Sequence, residues 1–567
     1  DAMAGPLKTQ PKKGDELVFL PLGGSDEIGM NLNAYGYGPP DDRRWIIVDI
    51  GVTFGGQDTP GVDIILPDPT FLEEERDNIL AIVLTHAHED HIGAIGWLWP
   101  RLKAPVYATP FTAALVREKL REHHLLDRVK LHEVSLNPYL QFGPFGVEYV
   151  TLTHSIPEPN GLAIRTPLGL VFHTGDWKID EAPQIGEQTD SAKIKALADE
   201  GVLAMVCDST NVFVEGRAGS EADVRDTLKA AIQSVRGKVA VTAFASNVAR
   251  LQTTIQVAQE CGRSVCLVGR SMRKVTGAAQ SVGLLQDIPP FITEEQASGM
   301  PPERVLYLCT GSQGEARAAL ARIAAGENRH ITLREGDAVL FSSRMIPGNE
   351  LAITALQNAL VRRGVRVITD RDEHIHVSGH PCRDELKDMY AWARPQIAVP
   401  VHGERRHILE HAAFAKTLQV PMTIAPHNGA MIRLAPGAPE IIDETPAGRL
   451  YVDGGVIVEA DNDALKERKR IAEEGFVSVS LAIAAKKHTI LAGPDVRTRG
   501  LSNADEDEFD LALDDLAEAA EAAFQRLPHA ERDDEDLTEA AIVRAVRKAA
   551  ERAFKKRPLV EVTVLRV

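Results

Sequence analysis

The most informative stretch of the chain is Thr85-His86-Ala87-His88-Glu89-Asp90-His91. It follows the apolar run 79–84, which predicts a buried strand that ends where the chain turns. Imidazole and carboxylate groups are ligands that suit zinc and its transition-metal neighbours. His86 and His88 are two positions apart, so an extended backbone would point both side chains the same way. The alternative is a solvated loop rich in histidine, but such compact spacing favours a site that feeds two adjacent metal ions.

Further polar residues follow other predicted strands, namely Asp49, His154, Asp176 and His402. Any one of them alone is more often a cap or turn residue. Because groups at one end of neighbouring strands converge, the whole set predicts a centre for two ions. We expect the first ion to be held by His86, His88 and His154, the second by Asp90, His91 and His402, and the two to be bridged by Asp176.

This ligand set predicts a hydrolytic enzyme in which Asp176 is also a catalytic residue. Two cations about 3.5–4 Å apart would activate a shared water and neutralise charge on a phosphoryl group. Seven ligands already fill both ions, so we expect Asp49 to orient a ligand from behind rather than to bind metal.

A second group of polar side chains is His374-Ile375-His376-Val377-Ser378-Gly379-His380. On a short strand, its imidazole, hydroxyl and backbone N–H groups would supply the donors that a phosphate pocket needs. His380 could protonate a leaving alkoxide, and Asp208, at the end of the strand 202–207, could orient it. The alternative is a histidine-rich turn.

A third candidate is Ala245-Ser246-Asn247, between a predicted strand at 238–243 and a helix that starts near 249. The N–H groups at a helix N-terminus bind anions, so these residues could contact a phosphate. A simple helix cap explains them equally well.

The chain has 567 residues, which predicts two to four domains. Its longest apolar runs are of strand length, and no N-terminal signal-like segment is evident, so we expect neither a membrane span nor secretion. The five scattered cysteines form no CxxC pair, which favours a reducing cytoplasm. The net charge of −18 argues only weakly against a polyanionic partner, because bound divalent cations would invert the local sign.

The pattern of strands and helices changes twice along the chain. Short strands with some helices at 17–175 indicate layered α/β and α+β architecture, whereas 202–380 shows the βα units of a parallel sheet. The first pattern resumes near 396, so the second domain is inserted into the first. The predicted boundaries are 1–205 and 386–458 for the interrupted domain, 206–385 for the insertion, 459–475 for a helical linker, and 476–567 for a β-α-α-β terminal domain.

The candidate residues resemble known motifs. Residues 86–91, His154, Asp176 and Asp49 are similar to the metal motifs of the metallo-β-lactamase fold family. Asp208, His380 and His402 resemble motifs A, B and C of its β-CASP branch, whose members act on nucleic acids. Segments 23–31, 346–350, 376–380 and 400–404 together resemble the bacterial ribonuclease J family, over a span from about residue 17 to the C-terminus.

This resemblance implies an αββα sandwich interrupted by a parallel β-CASP domain, plus a small α+β terminal domain that contributes to dimers or tetramers. It also implies a cytoplasmic 5′→3′ exoribonuclease that prefers 5′-monophosphorylated single-stranded RNA, also cuts internally, and acts in mRNA decay and rRNA maturation, alone or with other RNA-decay proteins. Two Zn²⁺ or Mn²⁺ ions would be resident, and a further structural ion would have Asp453 as its candidate ligand. The RNA phosphate would be gripped by Ala245, Ser246, Asn247, His376, Val377, Ser378, Gly379 and His380.

The motifs leave three other functions open. A small-molecule metallo-hydrolase would need the metal motifs but not a large insertion with its own phosphate-like pocket. A β-CASP nuclease that processes DNA would share every motif, since none of them reads a 2′-hydroxyl. A silent RNA-binding scaffold would be expected to lack some of the metal ligands.

Overall fold

The structure is a computed structural model that describes residues 9–136 and 139–567. Residues 1–8, with which the predicted first domain begins, and 137–138 lie outside the described residues. The chain forms two compact units. The first runs up to Thr53 and from Leu66 to Arg449, and the second comprises Phe54–Ile65 and Leu450–Val567. The predicted domain boundaries stay predictions.

Strands and helices alternate irregularly in the first part of the chain. In order they are β1 (Glu16–Gly23), β2 (Ser25–Asp26), β3 (Leu32–Gly38), β4 (Arg44–Val48), β5 (Thr53–Phe54), β6 (Val62–Pro67), α1 (Thr70–Glu74), β7 (Ile79–Val83), α2 (Glu89–Ile92), α3 (Ile95–Leu102), β8 (Val106–Ala108), α4 (Pro110–Glu122), β9 (Leu131–Glu133), β10 (Tyr139–Phe142), β11 (Phe145–Thr151), β12 (Asn160–Thr166), β13 (Gly169–His173), α5 (Ser191–Glu200) and β14 (Val202–Asp208).

Regular βα units follow. They are α6 (Glu221–Gln233), β15 (Val239–Thr242), α7 (Val248–Glu260), β16 (Ser264–Val268), α8 (Arg270–Ser281), α9 (Glu294–Ser298), β17 (Val305–Cys309), α10 (Ala319–Ala325), β18 (Ala338–Phe341), α11 (Glu350–Arg362) and β19 (Arg366–Ile368). The first unit then ends with α12 (Arg383–Ala393), β20 (Ile397–Val401), β21 (Gly403–Glu404), α13 (Arg405–Thr417), β22 (Met422–Thr423), β23 (Ala430–Ala435) and β24 (Glu440–Glu444).

Two sheets form the sandwich of the first unit. Their orders are β24-β23-β1-β3-β4-β7-β8-β9 and β10-β11-β12-β13-β14-β20-β22. One buried core joins their facing sides and includes Phe19 and Val48 from the first sheet and Tyr149 and Val206 from the second. Residues of α5, α12 and α13 form a further core with the outer face of the second sheet. The predicted αββα sandwich is therefore confirmed.

The insertion leaves the second sheet after β14 and returns to it at β20. These two strands are parallel neighbours, and Asp208 pairs in register with Val401. Between them lies a separate sheet of order β16-β17-β15-β18-β19, in which every described pairing is parallel. Alternate residues of β15 face two different cores, Val239 and Val241 on one side and Ala240 on the other. The predicted parallel α/β insertion is confirmed.

The second unit carries a sheet of order β28-β27-β29 that packs against two long helices. Its elements are β25 (Arg449–Asp453), β26 (Val456–Glu459), α14 (Asp463–Glu474), β27 (Phe476–Ile483), β28 (Ile490–Arg499), α15 (Glu506–Arg526), α16 (Glu535–Phe554) and β29 (Leu559–Arg566). The predicted β-α-α-β order was wrong because it lacked β28. That strand has no buried residue, so its sequence lacks the apolar alternation that reveals a strand.

Among the helices that the structure describes, none combines the length and hydropathy that a membrane span requires.

The prediction of a short strand at 374–380 was wrong, because the structure shows an irregular loop there.

We predict that Phe524→Ala destabilises the second unit by about 3–5 kcal/mol, because it empties a fully enclosed aromatic site. Native-state hydrogen exchange of the β27 amides measures this loss. Leu511→Ala, on the exposed side of the same helix, is the matched control and should change the value by less than about 0.5 kcal/mol. Equal effects of the two substitutions would contradict the packing.

Candidate active site

The strand ends of both sheets converge as the sequence predicts. The first ligand group consists of His86, His88, His154 and Asp176, and its ligand atoms all lie within 4.8 Å of one another. Strand β7 leads into His86, and α2 begins at Glu89, directly after His88. The Nε2 of His154 lies 3.0 Å from the Nδ1 of His88, so two imidazole nitrogens face each other across the group.

The second ligand group consists of Asp90, His91, Asp176 and His402, again within 4.8 Å of one another. The Nε2 of His91 lies 3.0 Å from Asp176 Oδ2, and the Nε2 of His402 lies 3.1 Å from Asp90 Oδ2. Asp176 belongs to both groups, where a bridging carboxylate was predicted. The structure thus brings all seven predicted ligands together.

A third overlapping group was not predicted as such. It consists of Asp176, Asp208, His380 and His402. Asp208 and His380 were predicted as catalytic and orienting residues only, yet their ligand atoms also lie within 4.8 Å of those of Asp176 and His402.

Burial keeps the first group's imidazoles neutral. It lowers the pKa of His88 to about 4 and holds the pKa values of His86 and His154 well below their usual value. The neighbouring histidines add to the effect at His86 and His154, since like charges repel. Neutral imidazole is the form that binds a metal ion.

In the second ligand group, the neighbouring carboxylates raise the pKa values of the histidines. Burial disfavours a charge on His402, but Asp176, Asp90 and Asp208 outweigh it and raise the pKa of His402 to about 9. The same competition between burial and the surrounding carboxylates raises the pKa of His91 well above its usual value. The carboxylates around these two histidines thus favour a positive charge in the second group, whether from protonated imidazole or from a bound cation.

The residues fit divalent metal ions on three counts. The Nε2 atom of His86 is buried, lies in the ligand group and has no hydrogen-bond partner among the described residues. Asp176 Oδ2 lies 3.7 Å from this atom and 3.8 Å from His154 Nε2, close to the spacing of ligands that share one ion at about 2.0–2.2 Å. The donor set of imidazole and carboxylate suits zinc and manganese alike.

Asp49 lies behind the second group. Its Oδ2 atom accepts from His91 Nδ1 at 2.7 Å and from the Thr85 hydroxyl at 2.7 Å, and its Oδ1 atom accepts from Thr85 N–H at 2.8 Å. This arrangement places a proton on Nδ1 of His91 and leaves Nε2 for an ion. Asp49 thus lies where a residue that orients a ligand is expected.

Sequence reasoning missed several supporting residues. The Nδ2 of Asn31 donates to the backbone oxygen of Asp90 at 3.0 Å and lies 3.3 Å from His91 Nε2. The Thr210 hydroxyl lies between Asp208 Oδ1, at 2.7 Å, and His402 Nδ1, at 2.8 Å. Asn31 lies in the segment 23–31, whose resemblance to the ribonuclease J family could have indicated a role at the site. For Thr210, the only sequence signal was its position two residues after Asp208.

The loop 376–380 reaches the metal-ligand groups directly. His380 Nδ1 lies 2.6 Å from Asp208 Oδ2, so Asp208 orients this histidine. His154 Nδ1 donates to the backbone oxygen of Gly379. A Cβ atom on Gly379 would lie 2.8 Å from that same nitrogen, so only glycine permits the approach. The Ser378 hydroxyl accepts from Asn211 Nδ2 at 2.8 Å, which leaves its own O–H available as a donor.

Asn247 caps α7 through its side chain, which accepts from the N–H of Arg250 at 3.1 Å. The cap predicted as the alternative function of residues 245–247 is therefore present, and phosphate contact by this segment stays a prediction.

Asp453 lies in the second unit, and both of its oxygens accept from Arg468, at 2.8 Å each. It belongs to none of the metal-ligand groups found among the described residues. The geometry therefore does not favour a divalent ion at this carboxylate.

We predict that Asp49→Asn lowers the affinity for divalent metal by about 10- to 100-fold, because the amide cannot accept from three donors and orient His91. Metal content after dialysis against graded chelator measures the affinity. Asp77→Asn, at an exposed position, is the control and should behave like the unmodified chain. Equal metal retention in both variants would show that Asp49 does not support the site.

Four family models match the chain. They are a beta-lactamase superfamily domain at 44–204, the beta-CASP domain of ribonuclease J at 236–360, a Zn-dependent metallo-hydrolase RNA specificity domain at 353–425, and the ribonuclease J C-terminal domain at 463–567.

Similar proteins span the whole chain. Ribonuclease J of Sinorhizobium meliloti is 46% identical over 98% of this chain and 98% of its own length. Ribonuclease J of Mycobacterium tuberculosis is 37% identical over 98% of each. A solved protein of unknown function from Enterococcus faecalis covers 74% of the chain at 16% identity with a TM-score of 0.51, a likeness of fold alone. With its metallo-β-lactamase domain, β-CASP insertion and C-terminal domain, the chain belongs to the ribonuclease J family.

Proposed function

We propose that this protein is a metal-dependent ribonuclease that degrades RNA from the 5′ end, prefers a 5′-monophosphate, and can also cut internally. The observation that carries the proposal is the contact of the loop 376–380 with the metal-ligand groups. Gly379 accepts from His154, and His380 pairs with Asp208. A phosphate-binding loop next to a hydrolytic centre would hold the terminal phosphate one nucleotide away from the bond that breaks.

The seven ligands would hold two divalent ions, Zn²⁺ or Mn²⁺. When bound, such ions supply an activated water and neutralise charge on the phosphoryl group. Burial of the His86 and His154 side chains limits the access of bulk water to the first ligand group, which strengthens the electrostatic contacts there.

The chain's own residues would complete the reaction. Burial opposes a charge on His380, but Asp208 outweighs it and raises the pKa of His380. In its protonated form, with Nδ1 donating to Asp208, His380 would carry a proton at Nε2 for the leaving oxygen. The free O–H of Ser378, the His376 ring and the backbone of residues 377–379 would donate to the terminal phosphate. Residues 245–247, directly before α7, would add further donors to the phosphate.

We place this activity in cytoplasmic mRNA decay and rRNA maturation, by a homodimer or homotetramer that works alone or with other RNA-decay proteins. The five cysteines are all free thiols, as expected in a reducing compartment. Strand β29 lies at the edge of its sheet and alternates buried and exposed residues, a surface that a second copy could pair with.

A β-CASP nuclease acting on DNA is the second candidate. It would use the same metal groups and the same phosphate loop, and no described contact is specific for a 2′-hydroxyl. The similarity to the RNA specificity domain over 353–425 favours RNA.

The test compares three matched substrates: 5′-monophosphorylated RNA, 5′-triphosphorylated RNA and 5′-monophosphorylated single-stranded DNA, each with metal-loaded protein. Release of mononucleotides from the first alone would support the proposal. Equal degradation of the DNA would favour the second candidate, and equal degradation of both RNAs would remove the 5′-phosphate preference.

We predict that His88→Ala lowers turnover of monophosphorylated RNA by at least about 1,000-fold, because one ion loses a ligand. Product release from labelled RNA measures the rate, and metal analysis should show the accompanying loss of metal. His132→Ala, on the exposed side of β9, is the control and should retain full activity. Retention of both metal and turnover in His88→Ala would remove this residue from the ligand set.

We predict that Ser378→Ala lowers kcat/KM for monophosphorylated RNA by about 10- to 100-fold, the effect of losing one hydrogen bond to a charged group. Internal cleavage of a circular RNA, which has no 5′ end, should change far less. Ser298→Ala, exposed in the same domain, is the control. An unchanged preference for the monophosphate would rule out Ser378 as a phosphate donor.

A further inference from the structure

Arg250 is a fully buried cation in the first turn of α7. Its guanidinium forms a two-pronged ion pair with the buried Glu221, with Nε donating to Oε2 at 3.0 Å and Nη2 donating to Oε1 at 2.8 Å. A cation in the first turn opposes the helix dipole, and burial of both charges costs desolvation energy. Helix stability alone therefore does not explain the presence of this arginine.

The remaining guanidinium nitrogen, Nη1, contacts Ser342 and Ile375, the residue directly before the loop 376–380. Nη1 lies 2.8 Å from the backbone oxygen of Ser342, 2.9 Å from its hydroxyl, and 3.2 Å from the backbone oxygen of Ile375. The Ser342 hydroxyl in turn donates to the Ile375 oxygen at 2.6 Å. Ile375, directly before the loop 376–380, thus accepts from two donors, Arg250 Nη1 and the Ser342 hydroxyl, and Arg250 also contacts that hydroxyl.

Arg250 also touches the neighbouring histidine. Its Nη1 lies 3.3 Å from Nδ1 of His376. Burial, reinforced by the Arg250 charge, lowers the pKa of His376 well below its usual value, so the ring is neutral. A guanidinium can only donate, so this contact favours the tautomer in which Nδ1 accepts and Nε2 carries the ring proton. This tautomer keeps one N–H of His376 available as a donor.

The same residue contacts the other predicted phosphate-binding segment. The backbone N–H of Arg250 donates to the capping oxygen of Asn247. Arg250 therefore connects residues 245–247 with residues 375–376, which are more than a hundred positions apart in the sequence.

The ion pair is itself anchored to the metal-binding part of the first unit. Asp180 accepts from the backbone N–H of Glu221 at 3.1 Å and from the hydroxyl of Ser220 at 2.6 Å, and it lies 3.5 Å from the buried amine of Lys178. The ion pairs Arg250–Glu221 and Lys178–Asp180 thus link the loop 376–380 to the segment that follows Asp176.

We propose that Arg250 is a positioning residue that sets the two phosphate-binding segments at the distance and orientation required by a terminal phosphate, and so determines the preference for the 5′ end. The inference rests on the proposed function, because it names what establishes the selectivity of that site. Arg250 does not touch the metal ligands itself, so its removal should reduce selectivity more than hydrolysis.

The test uses two variants. Arg250→Lys keeps the charge but cannot form the two-pronged ion pair with Glu221, and Ser342→Ala removes only the hydroxyl that donates to the Ile375 oxygen. Arg263→Lys is the matched control, since Arg263 is also buried in the same domain but binds backbone oxygens at the opposite ends of the strands, among them those of Gly237 and Val305. Three quantities are measured in the full chain: the ratio of kcat/KM for 5′-monophosphorylated over 5′-hydroxyl RNA, cleavage of a circular RNA, and hydrogen exchange of the amides at 375–380.

We expect Arg250→Lys to lower the selectivity ratio by about 10-fold or more and Ser342→Ala to lower it by a smaller factor, with circular RNA cleaved within about 3-fold of the original rate. Exchange at 375–380 should quicken in both variants and stay unchanged in Arg263→Lys. An unchanged ratio with unchanged exchange would overturn the inference, as would an equal loss of circular-RNA cleavage.

The unmodified chain in the same assay separates this inference from the proposed function. If it shows no preference for the monophosphate, the proposed function fails at that point. Amide hydrogen exchange alone then tests whether Arg250 positions the loop. Faster exchange at 375–380 in Arg250→Lys but not in Arg263→Lys would support this role, and equal exchange in the two variants would refute it.

Discussion

The carboxylate of Asp176 is the point on which the site depends. Its Oδ2 atom lies 3.0 Å from His91 Nε2, 3.4 Å from His402 Nε2, 3.7 Å from His86 Nε2 and 3.8 Å from His154 Nε2. Four buried imidazoles cannot be packed this closely unless a negative charge or a metal ion lies among them, because their own dipoles and charges repel. One carboxylate oxygen thus holds both ligand groups together.

The strand pairings explain how these residues meet. In the first sheet, β4 and β7 are parallel, with Val48 in register with Val83, so Asp49 and the segment after Leu84 emerge side by side. In the second sheet, parallel pairing of β13, β14 and β20 brings Asp176, Asp208 and His402 together at the carboxyl ends of these strands. Asp49 and His402 have φ values of 66° and 55°, a left-handed backbone that is uncommon in non-glycine residues.

The insertion has two separate effects on the site. It must return the chain to β20 in the register that places His402 beside Asp208, and it must deliver residues 376–380 onto the metal-ligand groups. Both depend on the same parallel sheet, since β15 and β18 provide the strand ends against which the start of that loop is held by Ser342 and Arg250. In the proposed function, this placement of residues 376–380 would add a phosphate-binding segment to the metal centre.

The identity of the ligands could be predicted from the sequence because they lie in short segments that follow apolar strands, which is a local pattern. The parallel insertion could be predicted for the same reason, since βα units repeat over short distances. Strand β28 and the loop at 374–380 could not, because their conformations depend on neighbours rather than on their own apolar period. Thr210 and Asn31 were missed because their contacts with His402 and Asp90 span 192 and 59 positions. The sequence by itself thus determined which groups can bind metal, whereas only the tertiary structure decided which of them share Asp176 and what holds them in place, because strand register and packing set those distances.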